Sequence, residues 1–323
     1  MSAIELEMVR HVFRVTTGTI RRRSKEIVAL DGVSLQIEEG ELFGLLGPNG
    51  AGKTTAVKIL TTLLIPTAGR VTVLGHDAVK DAAFLRSQVG FVLGGERGLY
   101  YRLSGRDNLR YFAELYGIEP KKIHSRIEAM LELVGLGDRA EERVAGYSRG
   151  MKQRLHIART LLHEPKVLFL DEPTLGLDPV GARDLREIIK RLQSEGKTIL
   201  LTTHYMFEAD ALCQRIAILN EGRIVAQGTP QELKELVSDL SVVELEVFGA
   251  EPKHLDRLRA LDFVDSVAIE SHELRQVLRV QTTLGDRAVP GLLASLDDLD
   301  VGRVSVREAT LEDAYVHLVG GAE

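Results

Sequence analysis

Along the first part of the chain, short apolar runs alternate with stretches of helical periodicity. Residues 33–37 (Val-Ser-Leu-Gln-Ile) alternate apolar and polar side chains, the period of a half-buried strand. Residues 41–46 form an apolar run broken by glycine, and the spacing predicts a helix from about Gly52 and a strand over 70–74. Leu109, Phe112, Ala113 and Tyr116 share one helix face, with Ser104 as its cap, and Ile123, Ile127, Met130, Leu131 and Val134 share another after Pro120. A third helix is expected over 149–163, ending before Glu164-Pro165. Strands at 167–170, 198–202 and 215–219 then alternate with helices at 180–194 and 205–212. Such alternation predicts a buried, mostly parallel α/β sheet, with residues 89–154 as an inserted helical subdomain. Thr229-Pro-Gln-Glu232 reads as a capping box. Beyond it the order βαββαβ and a closing helix from Thr310 predict a small ferredoxin-like α+β module, regulatory or dimer-forming. The expected division is 1–235 and 236–323.

Composition narrows the classes. The 323 residues are 44% hydrophobic and 27% charged, as in an ordinary globular protein. A net charge of −6 argues against a protein that grips nucleic acid by its phosphates. The single cysteine, Cys213, excludes a disulfide framework and a cysteine-ligated zinc site. No run approaches a membrane span, and the first residues lack the pattern of a secretory signal. A cytosolic protein is expected, peripheral if it serves a membrane.

The candidate chemistry lies at strand ends. Gly47-Pro48-Asn49-Gly50-Ala51-Gly52-Lys53-Thr54 fits Gly-x-x-x-x-Gly-Lys-Ser/Thr between a predicted strand and helix. Glycines there let backbone N–H groups form an anion nest backed by a helix N-terminus, with Thr55 in the same first turn. In that setting Lys53 gives a point charge to the β- and γ-phosphates, and the Thr54 hydroxyl ligates Mg²⁺. A second apolar strand ends in Asp171-Glu172. Asp171 can hold Mg²⁺ through water, and Glu172 can polarise a water at the γ-phosphate.

Between and beyond these motifs stand Tyr147-Ser148-Arg149-Gly150-Met151, Gly176-Leu177-Asp178 and His204. With them the sequence resembles the nucleotide-binding subunits of ABC transporters, over about residues 4–235. The fold implied is a P-loop NTPase cassette, a RecA-like mostly parallel core with the helical subdomain inserted. Tyr147 to Met151 resembles the family signature Leu-Ser-Gly-Gly-Gln, in the form found in drug- and polysaccharide-export ATPases; Arg149 departs from the commoner glycine. The resemblance implies a homodimer that sandwiches two ATP molecules, with Ser148 and the Gly150 amide facing the nucleotide of the opposing chain. It also implies that Asp178 lies in the loop crossing the dimer interface, that His204 is the γ-phosphate switch, and that Phe13 is the candidate aromatic stacked on adenine. Phe13 reads equally as an ordinary strand residue. The following stretch, Thr16 to Glu26 with Arg21, Arg22 and Arg23, is either a solvated hairpin or a contact for lipid phosphates.

One family feature is missing. Where a glutamine normally follows the strand after the first helix, this chain has Gly94-Gly95-Glu96-Arg97. Glu96 is either a substitute Mg²⁺ sensor or a solvated loop residue beside a glycine hinge. The tail Ala309-Thr-Leu-Glu-Asp-Ala-Tyr315 resembles that of daunorubicin-resistance-type exporter ATPases. The expected activity is ATP hydrolysis driving export through a separate membrane permease subunit, at the cytoplasmic face. The alternatives are an importer subunit or a nucleotide-gated clamp on ribosomes or DNA.

Overall fold

The computed structural model describes residues 2–17, 23–93, 98–237, 241–272 and 275–320. The chain divides into two compact units, Met1–Gln227 and Gly228–Glu323. The first begins with β1 (Ser2–Thr17), β2 (Arg23–Glu38), β3 (Leu42–Leu46), α1 (Lys53–Leu60), β4 (Ala68–Val73) and β5 (His76–Asp77). There follow α2 (Ala82–Gln88), β6 (Val89–Leu93), α3 (Gly105–Leu115), α4 (Pro120–Leu133) and α5 (Arg149–Leu161). It ends with β7 (Val167–Asp171), α6 (Pro179–Ser194), β8 (Thr198–Thr203), α7 (Met206–Leu212), β9 (Arg215–Asn220) and β10 (Arg223–Gly228).

Two sheets organise this unit. One has the order β10-β9-β3-β8-β7-β6, in which β9, β3, β8, β7 and β6 run parallel to one another. Every residue of β3, β7 and β8 is buried, which explains their near-continuous apolar sequences: strands covered on both faces have no solvent side to mark with polar residues. The other sheet, β2-β1-β4-β5, is antiparallel. Helix α1 is enclosed between them: Val57, Ile59 and Leu60 share one core with Ile4 and Leu35 of the antiparallel sheet and with Phe43 and Phe169 of the parallel one. This burial fixes the N-terminus of α1 against the end of β3.

The helical insertion is narrower than the expected 89–154. Residues 89–93 form β6, paired in parallel with β7. A five-residue apolar run next to helices carries no periodicity long enough to distinguish it from a helical turn. Gly90 is required there, since a Cβ would lie 2.5 Å from Thr160 Cγ2 on α5. Ser104 caps α3 by accepting from the Asp107 N–H, and α4 starts at Pro120 as its fixed φ favours. Residues 16 and 17 pair with 24 and 23, so the flanks of the arginine-rich stretch are arms of a hairpin; residues 18–22 lie outside the described residues.

The second unit contains α8 (Pro230–Glu235), β11 (Ser241–Phe248), α9 (Pro252–Arg259), β12 (Val264–His272), β13 (Arg275–Thr282), α10 (Val289–Ser295), β14 (Asp300–Glu308) and α11 (Leu311–Gly320). Its sheet order β12-β13-β11-β14 is wholly antiparallel, the ferredoxin-like arrangement. Val243, Leu245, Leu278 and Val280 face Leu258 and Leu292 in one core. The Thr229–Glu232 capping box forms, and α8 packs on α11, so the boundary falls before α8 and not after it. Helix α10 is preceded by a 3₁₀ turn over Gly285–Ala288. Among the described residues no helix is long and apolar enough to cross a membrane.

Helix α5 also carries a buried histidine. His156 is 2% exposed and its Nε2 has no hydrogen-bond partner among the described residues. Burial, with the Arg159 charge adding to it, pushes its pKa down to about 4. The unfolded imidazole titrates near 6.5, so the native state prefers the neutral ring. The resulting stability is complete above about pH 6.5 and is lost as the pH falls toward about 4, up to about 3 kcal/mol. Between pH 7 and 4.5, His156→Gln should lose about 2 kcal/mol less unfolding free energy than the wild type, measured by urea denaturation at each pH.

Candidate functional site

β3 is central in the parallel sheet and delivers the chain to Gly47, where the glycine loop starts. A Cβ at Gly47 would lie 2.2 Å from the Leu219 carbonyl oxygen, so the loop leaves the sheet in a space no side chain fits. Gly52 precedes α1 with φ +111°, and a Cβ there would lie 2.4 Å from the Ala29 carbonyl oxygen. No side chain caps α1. Its first-turn N–H groups, those of Lys53, Thr54 and Thr55 among them, have no intrahelical acceptor and face the loop, with the positive end of the helix dipole behind them.

Lys53 is the buried cation of this loop, 5% exposed. Its Nζ donates to the Gly47 carbonyl at 2.6 Å and the Pro48 carbonyl at 3.1 Å, and lies 3.7 Å from Glu172 Oε1. Burial lowers its pKa, while Glu172 and Asp171 act in the opposite direction.

The acidic end of β7 is held from two sides. Thr54 Oγ1 donates to Asp171 Oδ2 at 3.1 Å, and the buried Thr202 hydroxyl of β8 donates to Asp171 Oδ1. The next residue, Glu172, adopts φ +48°, a left-handed conformation that side chains other than glycine rarely take. Its N–H is fixed by the Thr202 carbonyl at 3.0 Å and by the Thr202 hydroxyl at 3.1 Å. This twist turns the carboxylate toward both Lys53 and His204, whose Nδ1 is 3.3 Å from Glu172 Oε1. The Tyr205 ring lies 4.1 Å from the imidazole, centre to centre.

Phe13, Ile27, Val28, Ala29, Pro48, Asn49, Gly50, Gly52, Lys53, Thr54, Thr55 and Glu172 line one open pocket of about 290 Å³. It is apolar at the Phe13–Ile27 end and polar at the loop, the gradient that suits a flat apolar base carrying a phosphate chain. Phe13 lies opposite Ile27 in the β1–β2 pairing, 37% exposed. Gly47 and Ala51 are not among the lining residues; Asp171 and His204 join the pocket through Thr54 and Glu172.

The signature segment is held elsewhere. Ser148 caps α5 by accepting from the Met151 N–H at 3.2 Å, and buried Tyr147 donates its hydroxyl to the Arg139 carbonyl at 2.7 Å. Arg149 reaches the Gly176 carbonyl at 3.5 Å, and Gly150 faces Gly181. Asp178 caps α6, accepting from the Gly181 N–H at 2.8 Å. Residues 147–151 and Asp178 thus lie beside one another and are not among those lining the pocket of the same chain. Glu96, with Gly94, Gly95 and Arg97, lies outside the described residues. Sequence reasoning missed Thr202 and the apolar wall at 27–29. The signal for Thr202 was a hydroxyl inside the buried run Ile-Leu-Leu-Thr-Thr.

A parallel sheet with a glycine loop at one strand end and a carboxylate pair at the next but one defines a P-loop nucleotide hydrolase. Residues 30–175 match the profile of the ABC transporter family. Over 308 residues the chain is 38% identical to daunorubicin resistance ATP-binding protein DrrA3 of Streptomyces coeruleorubidus, covering 95% of this chain and 96% of that protein. It is 36% identical over 302 residues to Nod factor export ATP-binding protein I of Paraburkholderia xenovorans, covering 93% and 95%. A dimeric post-hydrolysis structure of the ATP-binding cassette MJ0796, bound to ADP and Pi, superposes with a TM-score of 0.61 at 26% identity, over 70% of this chain and 98% of that one. The chain belongs to the ABC transporter family. Within it, this is an ATP-hydrolysing subunit.

The glycines of the loop are separable by experiment. Gly47→Ala drives a methyl into the Leu219 carbonyl and should abolish measurable nucleotide binding. Gly50 has open space around it at φ +87°, so Gly50→Ala bears only the left-handed backbone cost of about 1–2 kcal/mol. Titration with a fluorescent ATP analogue checks the order of the two effects.

Proposed function

We propose that this chain powers an ABC export system as a dimer that binds ATP between its subunits, beneath a separate membrane permease subunit. The observation that carries the reading of the site is the convergence of Lys53, Glu172 and His204 on the pocket that the glycine loop and Phe13 line. The relatives named for drug resistance and Nod factor export, similar over almost the whole chain, support the export direction.

In this reading Phe13 stacks on adenine, and the loop amides with Lys53 hold the β- and γ-phosphates. On binding, the Lys53 ammonium exchanges its loop carbonyls for phosphate oxygens, a charge-assisted interaction. Thr54 and Asp171 present hard oxygen donors 3.1 Å apart, which fits Mg²⁺, an ion that keeps most of its shell for water and phosphate. When bound there, Mg²⁺ neutralises charge between the β- and γ-phosphates. Glu172 accepts the proton of the attacking water, and His204 orients Glu172 and meets the γ-phosphate. Ser148 and the Gly150 amide, at the N-terminus of α5, complete the phosphate site of the opposing chain. Asp178 lies at the contact between subunits. The membrane contact is peripheral, at the cytoplasmic face, and no nucleic-acid partner is invoked.

Lys53→Ala should weaken ATP binding by roughly ten- to a hundredfold, because the loop loses its buried cation. Wild-type affinity in that variant removes the phosphate-loop assignment. Glu172→Gln keeps shape and one acceptor but no base, so it should bind ATP and turn over about 10²–10⁴-fold more slowly. Size-exclusion chromatography with ATP and Mg²⁺ should then show Glu172→Gln at twice the monomer mass. A monomer with normal turnover would rule out both the base and the sandwich.

A further inference from the structure

Glu208 is a buried carboxyl group that the reaction just described does not use. It is 1% exposed and sits in the first turn of α7. Its Oε2 accepts from Thr174 Oγ1 at 3.1 Å, in a bond that is itself buried. The Thr203 hydroxyl also faces the carboxyl, and Thr203 Oγ1 accepts from the Tyr205 N–H at 3.0 Å. Thr174 is two residues past Glu172, and Thr203 immediately precedes His204. Glu208 therefore stands between the two segments that present the 3.3 Å Glu172–His204 pair.

We infer that Glu208 is a positioning residue for hydrolysis, a buried carboxyl that holds the segment after Glu172 and the segment before His204 in one register. This rests on the roles proposed for Glu172 and His204. Both segments are loops at strand ends, and Glu172, held in a left-handed conformation by its hydrogen bonds to Thr202, is two residues from Thr174. Among the described residues no cation lies within ion-pair distance of Glu208, and its Oε1 has no hydrogen-bond partner. Burial raises its pKa, with Thr203, Thr174, Arg186 and His204 acting against that shift. The threonine hydroxyls that donate to the carboxyl offset part of the cost of burying it.

The test is steady-state ATP hydrolysis by the full chain with its membrane subunit, alongside nucleotide binding and thermal unfolding. Glu208→Ala should lower kcat about tenfold or more while the ATP Kd changes less than about twofold, since misplacement of the pair acts on the chemical step. Glu208→Gln, neutral and of the same shape, should recover most of the rate lost in Glu208→Ala. Thr174→Val removes the same bond from the other side, so it should lower kcat and be non-additive with Glu208→Ala; it also decides the matter if the alanine variant fails to fold. A wild-type kcat in Glu208→Ala or Thr174→Val overturns the inference. So does a glutamine variant as slow as the alanine one, or a loss of kcat, affinity and melting temperature in step. Glu172→Gln measured in parallel separates the two levels: normal turnover there sinks the reading of the site, whereas a dead Glu172→Gln with a normal Glu208→Ala sinks only this inference.

Discussion

The site depends on how Asp171 is held. Its two carboxylate oxygens take hydrogen bonds from Thr54 at the start of α1 and from Thr202 on β8, while Asp171 itself ends β7. One 7% exposed carboxylate thereby ties three elements whose relative positions define the pocket. A buried charge without such partners would be strongly destabilising, so its hydrogen bonds are a condition of the fold as well as of the chemistry. Thr202 then fixes the N–H of Glu172 in a conformation costing about 1–2 kcal/mol. The surrounding aliphatic core supplies that stability, with Phe43, Val57, Phe169 and Leu200 among its members.

Much of this was legible in the residues. The glycine loop is readable because its chemistry demands glycines and a lysine at fixed spacing, and the geometry at Gly47 and Gly52 leaves no room for anything else. The acid-tipped strand is readable because a strand buried on both faces is an apolar run whose first polar residue marks its end. Helices with a full amphipathic face, α3 with its Ser104 cap and α4 from Pro120, appear where the periodicity puts them. What escaped is long-range. Thr202 is 31 residues from Asp171, and no local pattern records that their side chains meet across adjacent strands. Phe13 is legible as a candidate, but its partner on the pocket wall is not: it is the β1–β2 register that sets it against Ile27. The resemblance places a strand before Gly94, but periodicity alone puts residues 89–93 in the helical insertion, because five apolar residues are too few to show a period.

The chain also carries two helix N-termini suited to phosphate, and places only one in its own pocket. At α1 the glycine loop leaves the first-turn amides uncapped by any side chain. At α5, Ser148 spends its lone pair on the Met151 N–H, which leaves its O–H free to donate outward. That segment is braced instead against the 176–181 loop by Arg149 and Gly150. In the proposed dimer a phosphate chain meets both kinds of terminus, because a second subunit brings its α5 to the first subunit's α1. The proposal accords with that division. The nucleotide, with its negative charge, is what offsets the repulsion between two positive helix ends. In the proposed dimer, closure is conditional on the γ-phosphate, and the 3.3 Å Glu172–His204 pair is the proposed sensor of its removal.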